Sequence, residues 1–131
     1  MSGILLDTTV LIDLLRGRRG ATARLRAVRT AGDQPYASAI NVEEVVRGLR
    51  EPEVEAARTL LSGLRIVGLG EAEGWRAGEW RRAFAARGLT LTQADCLVAA
   101  AAASIGGRVA TGNPTDFPMP DLVVEHWPAG E

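Results

Sequence analysis

The sequence predicts an α/β fold, a mainly parallel sheet flanked by helices, on three observations. Short apolar runs alternate with stretches of helix length, no internal repeat is present, and no linker is long enough to divide the chain. With 131 residues, 47% of them hydrophobic, the chain can bury a core without covalent staples, so one domain over residues 1–131 is expected.

The elements follow in order. Strands are expected near 3–6, 36–38, 65–68, 108–111 and 122–125, and helices near 9–16, 21–31, 42–50, 53–62, 72–87 and 93–104. The first apolar run, Ile4, Leu5 and Leu6, ends at Asp7, and the helix after it carries Asp13, expected on its flank or solvated side. Asn41, Val42, Glu43 and Glu44 open the helix after the second strand. There Val42, Val45, Val46 and Leu49 have the i, i+3, i+4, i+7 spacing of a buried stripe. Gly48 is expected inside that helix, where glycine costs ~1 kcal/mol relative to alanine, and so to leave room beside Glu44. Trp80 and Phe84, at i, i+4, predict a packed face that is also available to an oligomer interface. Thr92, Gln93, Ala94 and Asp95 open an alanine-rich helix, and Asp116 follows VATGNPT just beyond the fourth strand.

Composition removes several chemistries. All 15 basic residues are arginine, so phosphate-binding loops, Schiff bases and receiver-type phosphorylation lose their lysine. His126 is the only histidine and Cys96 the only cysteine, which excludes paired-histidine RNA cleavage, internal disulfides and thiolate zinc. The net charge of -1 gives no global attraction to nucleic acid or anionic lipid, and no apolar run approaches the ~18 residues of a membrane span. A soluble, cytoplasmic protein with no membrane partner is expected. Arg16, Arg18 and Arg19 read equally well as phosphate contacts or as a solvated helix end.

What remains is acidic. Asp7, Glu44 and Asp116 fall where an expected strand gives way to the following turn or helix, and Asp95 falls where the alanine-rich helix opens. Each has a local explanation: Asp7 as an N-cap, Asn41 with Glu44 and Thr92 with Asp95 as capping boxes, Asp116 as a turn residue. A parallel sheet, however, gathers those strand ends on one edge. Converging carboxylates raise one another's pKa values, a cost that a cation removes, and oxygen-rich sites suit Mg²⁺ or Mn²⁺. Such ions serve phosphodiester hydrolysis by orienting and acidifying water.

Taken in order, LLDTTVLIDLLRG, ASAINVEEVVRGL, LTQADCLVAAAA and VATGNPTDF resemble the four acidic motifs of PIN-domain ribonucleases, specifically the toxins of VapBC toxin-antitoxin pairs. The resemblance spans residues 4–117. It implies a single PIN domain acting as a Mg²⁺- or Mn²⁺-dependent endoribonuclease on RNA, restrained by a cognate VapB-type antitoxin and forming a homodimer. By position it makes Asp7, Glu44, Asp95 and Asp116 the acidic catalytic site, with Asp7, Asp95 and Asp116 as metal ligands. Thr8, Thr9, Thr111 and Asn113 would support them, although Thr9 stands where many relatives carry asparagine or serine. The alternatives are a PIN fold kept only for binding a partner, and a haloacid-dehalogenase-like phosphatase. The latter wants an aspartate at position 9 and a lysine, and has neither.

Overall fold

The computed structural model describes residues 2–131. Five strands, β1 (Gly3–Leu6), β2 (Gln34–Ser38), β3 (Arg65–Val67), β4 (Arg108–Thr111) and β5 (Val123–His126), form one sheet in the order β3-β2-β1-β4-β5. Every neighbouring pair is parallel. Parallel pairing requires crossovers, and six helices supply the first three: α1 (Thr8–Leu15), α2 (Arg19–Thr30), α3 (Ala39–Arg47), α4 (Val54–Ser62), α5 (Glu71–Ala85) and α6 (Gln93–Ser104); β4 reaches β5 through a short 3₁₀ turn, Pro114–Asp116, and a loop.

Side-chain alternation along β1 divides the core in two. Ile4 and Leu6 join Val10, Leu11, Leu25, Val45 and Trp127 on one face, whereas Leu5 joins Trp80, Phe84, Cys96 and the α6 alanines on the other. Trp80 and Phe84 are thus the packed face their spacing predicts. Among the described residues, no helix is long and apolar enough to cross a membrane.

The sheet order places a switch point between β1 and β4. From β1 the chain builds outward through β2 and β3, then returns to the other side of β1 for β4 and β5. In open parallel sheets, ligands occupy the crevice beyond the carboxyl ends of strands at such a point.

The third helix departs from its expected form. It begins at Ala39 rather than after Asn41, because Ser38 is its N-cap and Asn41, its third residue, closes a capping box with Ser38. It ends at Arg47, so Gly48 is its C-cap and not an interior residue. A Cβ at Gly48 would meet only the Val45 and Glu44 carbonyl oxygens, which removes the idea that it clears space beside the Glu44 carboxylate. Val46 is 52% exposed, because the helix presents Val45 to the core and turns Val46 away.

Candidate active site

Asp7 stands immediately past β1, at the switch point. Its backbone N–H donates to the Ala110 carbonyl at 2.9 Å, extending the β1–β4 pairing, while its own carbonyl accepts from Val10 and Leu11 and starts α1. It occupies the N-cap position, yet its side chain makes no capping bond. The carboxylate turns into the protein, 8% exposed. Thr111 Oγ1 donates to Oδ2 at 2.8 Å and Asn41 Nδ2 donates to Oδ1 at 3.3 Å.

Burial pushes the Asp7 carboxyl above the ordinary aspartate range. Hydrogen bonds from Thr111 and the Thr8 backbone oppose that shift, and the charges of Asp95 and Glu44 add to it. Asp95, in the first turn of α6, is also raised, first by burial and then by the charges of Asp116 and Glu44, against a hydrogen bond with Thr92. The fold therefore brings all four acids within electrostatic reach of one another.

They do not form a closed chelate. Among the described residues, no three histidine, cysteine, aspartate or glutamate side chains stand close enough together to hold a metal ion unaided. The expected trio of Asp7, Asp95 and Asp116 is thus an acidic edge rather than a preassembled cage, as befits like charges that repel.

The two adjacent glutamates separate cleanly. Glu44 is half-buried and accepts a 2.6 Å hydrogen bond from Thr8 Oγ1. Glu43 is exposed and faces Arg47 at 3.9 Å. Thr9 points elsewhere: its hydroxyl accepts from the Gly112 N–H at 2.8 Å, fixing the loop after β4. Asn113 contributes its backbone N–H, which donates to Thr111 Oγ1 at 3.0 Å, while the residue itself is exposed. Thr92 caps α6, accepting from the Asp95 N–H at 3.1 Å, so the capping reading of that pair holds together with its place near the acids.

Asn41 is the residue that sequence reasoning treated only as a cap. It is fully buried, and its four hydrogen-bonding positions are all used. Oδ1 accepts from the Ser38 N–H at 3.0 Å and the Ser38 hydroxyl at 2.7 Å; Nδ2 donates to Asp7 and, at 3.1 Å, to Thr8 Oγ1. One amide thereby ties the start of α3 to the end of β1. The Ser38-x-x-Asn41 spacing of a capping box was the signal available for it.

Asp13 is not solvated. It is buried in α1, where Oδ2 accepts from the Gly130 N–H at 2.9 Å, so it anchors the segment after β5. Arg16, Arg18 and Arg19 are exposed beyond the end of α1 opposite Thr8.

A PIN-domain family model matches residues 4–118, which contain all four acids. The chain belongs to the PIN-domain family. This PIN domain is 30% identical over 119 residues to ribonuclease VapC19 of Mycobacterium tuberculosis, covering 90% of this chain and 95% of that one. Its fold matches that of VapBC2 from Rickettsia felis, solved bound to a DNA fragment from its promoter, with a TM-score of 0.86, 21% identity and coverage of 95% and 98%. A toxin-antitoxin complex from Klebsiella pneumoniae matches with a TM-score of 0.74, 28% identity and coverage of 92% and 95%.

Proposed function

We propose that this PIN domain is an endoribonuclease of the VapC type, the toxin of a toxin-antitoxin pair, cutting RNA phosphodiester bonds with the help of Mg²⁺ or Mn²⁺. The observation that carries the reading is Asp7: a buried carboxylate at the switch point, raised by burial and by neighbouring acids, with no capping duty. The family and the ribonuclease VapC19 relative support the reaction class.

The donor set fits a hydrated divalent cation. The two Asp7 oxygens accept from Asn41, Thr111 and the Thr8 backbone, fewer bonds than a carboxylate's roughly four lone-pair sites can take, which leaves acceptor capacity for a cation or its waters. Mg²⁺ commonly keeps several waters and takes only one or two carboxylates, so separated acids suit it better than a tight cage would. Asp7, Asp95 and Asp116 are the residues that would hold it. When bound, such an ion supplies Lewis acidity toward phosphate oxygens and acidifies coordinated water.

The chain's own residues prepare that edge. Thr111 and Asn41 fix both Asp7 oxygens, so the carboxylate cannot swing away. Thr8 holds the Glu44 carboxylate toward the same space, where it can accept a proton from water as RNA is attacked. Asn41 and Thr8 are themselves linked, so Asp7 and Glu44 are positioned by one hydrogen-bonded unit.

As in the toxin-antitoxin complexes whose folds it matches, a cognate VapB-type antitoxin would be the restraining partner. The apolar groove lined by Val42, Val46, Leu49, Leu61 and Ile66, with Val46 and Ile66 about half exposed, offers such a partner a surface. Antitoxin-free protein should cleave RNA with Mn²⁺, stop when the ion is chelated, and lose the activity on Asp7→Asn substitution. Equal cleavage by wild type and variant would assign the activity to a contaminant and sink the proposal.

A further inference from the structure

Residues 127–131, after β5, run against the loop that carries Asp116, and helix α1 holds both. Trp127 is buried, and its backbone N–H donates to the Thr111 carbonyl at 2.9 Å, which extends the β4–β5 pairing. Beyond it, Ala129 stands against Gly112. A Cβ at Gly112 would lie 3.1 Å from both the Ala129 Cβ and Thr9 Oγ1, closer than ordinary van der Waals contact, so the glycine is enclosed between residue 129 and α1. Thr9 and Asp13 are one helical turn apart on α1, and each accepts from a backbone N–H of this assembly. Thr9 Oγ1 takes that of Gly112 at 2.8 Å and Asp13 Oδ2 that of Gly130 at 2.9 Å. The Glu131 carbonyl accepts from the Gly20 N–H and ties down the next residue. A buried carboxylate without a cationic partner is costly, and among the described residues Asp13 makes no ion pair. Its place in the fold therefore needs a reason.

We propose that Asp13 and Thr9 are positioning residues for the fourth acid: by clamping residues 129 and 130 against Gly112 they fix the loop that presents Asp116 to the other carboxylates. Neither touches the ion or the RNA. The path to Asp116 is short. The Asp116 N–H donates to the Asn113 carbonyl at 3.0 Å, closing a single turn that starts next to Gly112. On the far side Phe117 is buried, so the loop has a core anchor at one end and the clamp at the other. The Asn113 N–H is held by Thr111 Oγ1, whose own hydroxyl donates to Asp7, and this links the loop to the first acid as well. One helix thus starts at Asp7 and carries the two residues that place Asp116. The proposal rests on the reading of Asp116 as a cation ligand.

Two measurements on the full, antitoxin-free chain test it. Amide hydrogen exchange in chelator reads the clamp itself. Asp13→Ala should speed exchange at Gly112 and Asp116 about tenfold relative to the amides of β1, whereas Asp13→Asn, whose side-chain oxygen still accepts from Gly130, should stay near wild type. Titration with Mn²⁺ reads the consequence. Asp13→Ala should raise the Mn²⁺ dissociation constant about tenfold or more, and Asp13→Asn should restore it. Asp116→Asn should weaken binding too, and adding Asp13→Ala to it should cost little further, because the clamp acts through that carboxylate. Should Asp13→Ala not fold, Thr9→Val takes its place with Thr9→Ser as the restoring variant. Unchanged exchange, unchanged Mn²⁺ affinity where wild type binds the ion, or an undiminished effect in the Asp116→Asn background would each overturn the proposal alone. A wild type that binds no Mn²⁺ would overturn the cation reading and this proposal with it.

Discussion

Asn41→Asp is the substitution whose effect can be worked most fully from the geometry. It keeps the shape of the side chain and the oxygen that accepts from Ser38, but replaces the amide that donates to Asp7 with a second carboxylate oxygen. At the 3.3 Å separation of those atoms, two unit charges repel by about 5 kcal/mol at an effective dielectric of about 20. Proton uptake limits the damage. Keeping an ordinary carboxyl protonated at pH 7 costs about 4 kcal/mol, at 1.36 kcal/mol per unit of pKa, and the resulting O–H can donate to Asp7 in place of the lost amide. The variant should therefore bind a shared proton and lose about 4 kcal/mol of stability at pH 7. The sign follows from linkage: the pair's folded-state pKa is raised above its unfolded value, so the folded protein binds the extra proton and the deficit shrinks as pH falls, by about 1.4 kcal/mol per unit toward pH 4. Urea denaturation of wild type and variant in chelator, from pH 4.5 to 8, measures the difference. Asn41→Ala is the control, since it forfeits all four hydrogen bonds but should add no pH dependence. A deficit in Asn41→Asp that stays flat with pH, or remains under 1 kcal/mol at pH 7, would refute the placement of Asn41 against Asp7.

Three further outcomes are expected. Glu44→Gln should strongly lower Mn²⁺-dependent RNA cleavage while Glu43→Gln keeps most of it, because only Glu44 is held by Thr8; single-turnover rates on equally folded proteins check this, and an inactive Glu43→Gln would contradict it. Asp95 is raised by burial and by Asp116 and Glu44, so its ionised form disfavours the folded state near neutral pH. Metal-free Asp95→Asn should therefore melt no lower than wild type in calorimetry, and Mn²⁺ should raise its melting temperature less. Asp33 is held below the ordinary aspartate range by its hydrogen bond from Arg108, 2.8 Å away, so the stability it confers is present above that range and lost as pH falls through the lowered value. Arg108→Gln should flatten the acid limb of stability against pH, and an unchanged limb would count against the pairing.

The order of elements and the locations of the acids were legible because both depend on local pattern. Apolar runs mark the buried strands of a parallel sheet, and Asp7, directly behind the first of them, marks a strand end, whereas Glu44 and Asp95 were legible as acids in the first turns of expected helices. What escaped reading depends on contacts distant in sequence. Asn41 looked like a cap because aspartate-like side chains start helices, yet Ser38 at the end of β2 takes that duty and frees the amide to reach Asp7, 34 residues away. Asp13 looked solvated because periodicity sees only its own helix, not the segment around Gly130 that lies over it. Val46 fitted the buried stripe, but α3 turns Val45 inward and leaves Val46 on an open groove. Thr9 lay within a site motif, and the loop after β4 claims its hydroxyl.

The central claim, that Asp7 and its acidic neighbours form a divalent-cation site, is tested most directly by counting bound Mn²⁺. The free ion's paramagnetic resonance signal is followed as antitoxin-free protein is added, for wild type and for Asp7→Asn of equal fold. If the site is there, wild type depletes the signal in proportion to its concentration and Asp7→Asn depletes it far less. Equal depletion by both, or none by wild type at millimolar ion, would contradict it.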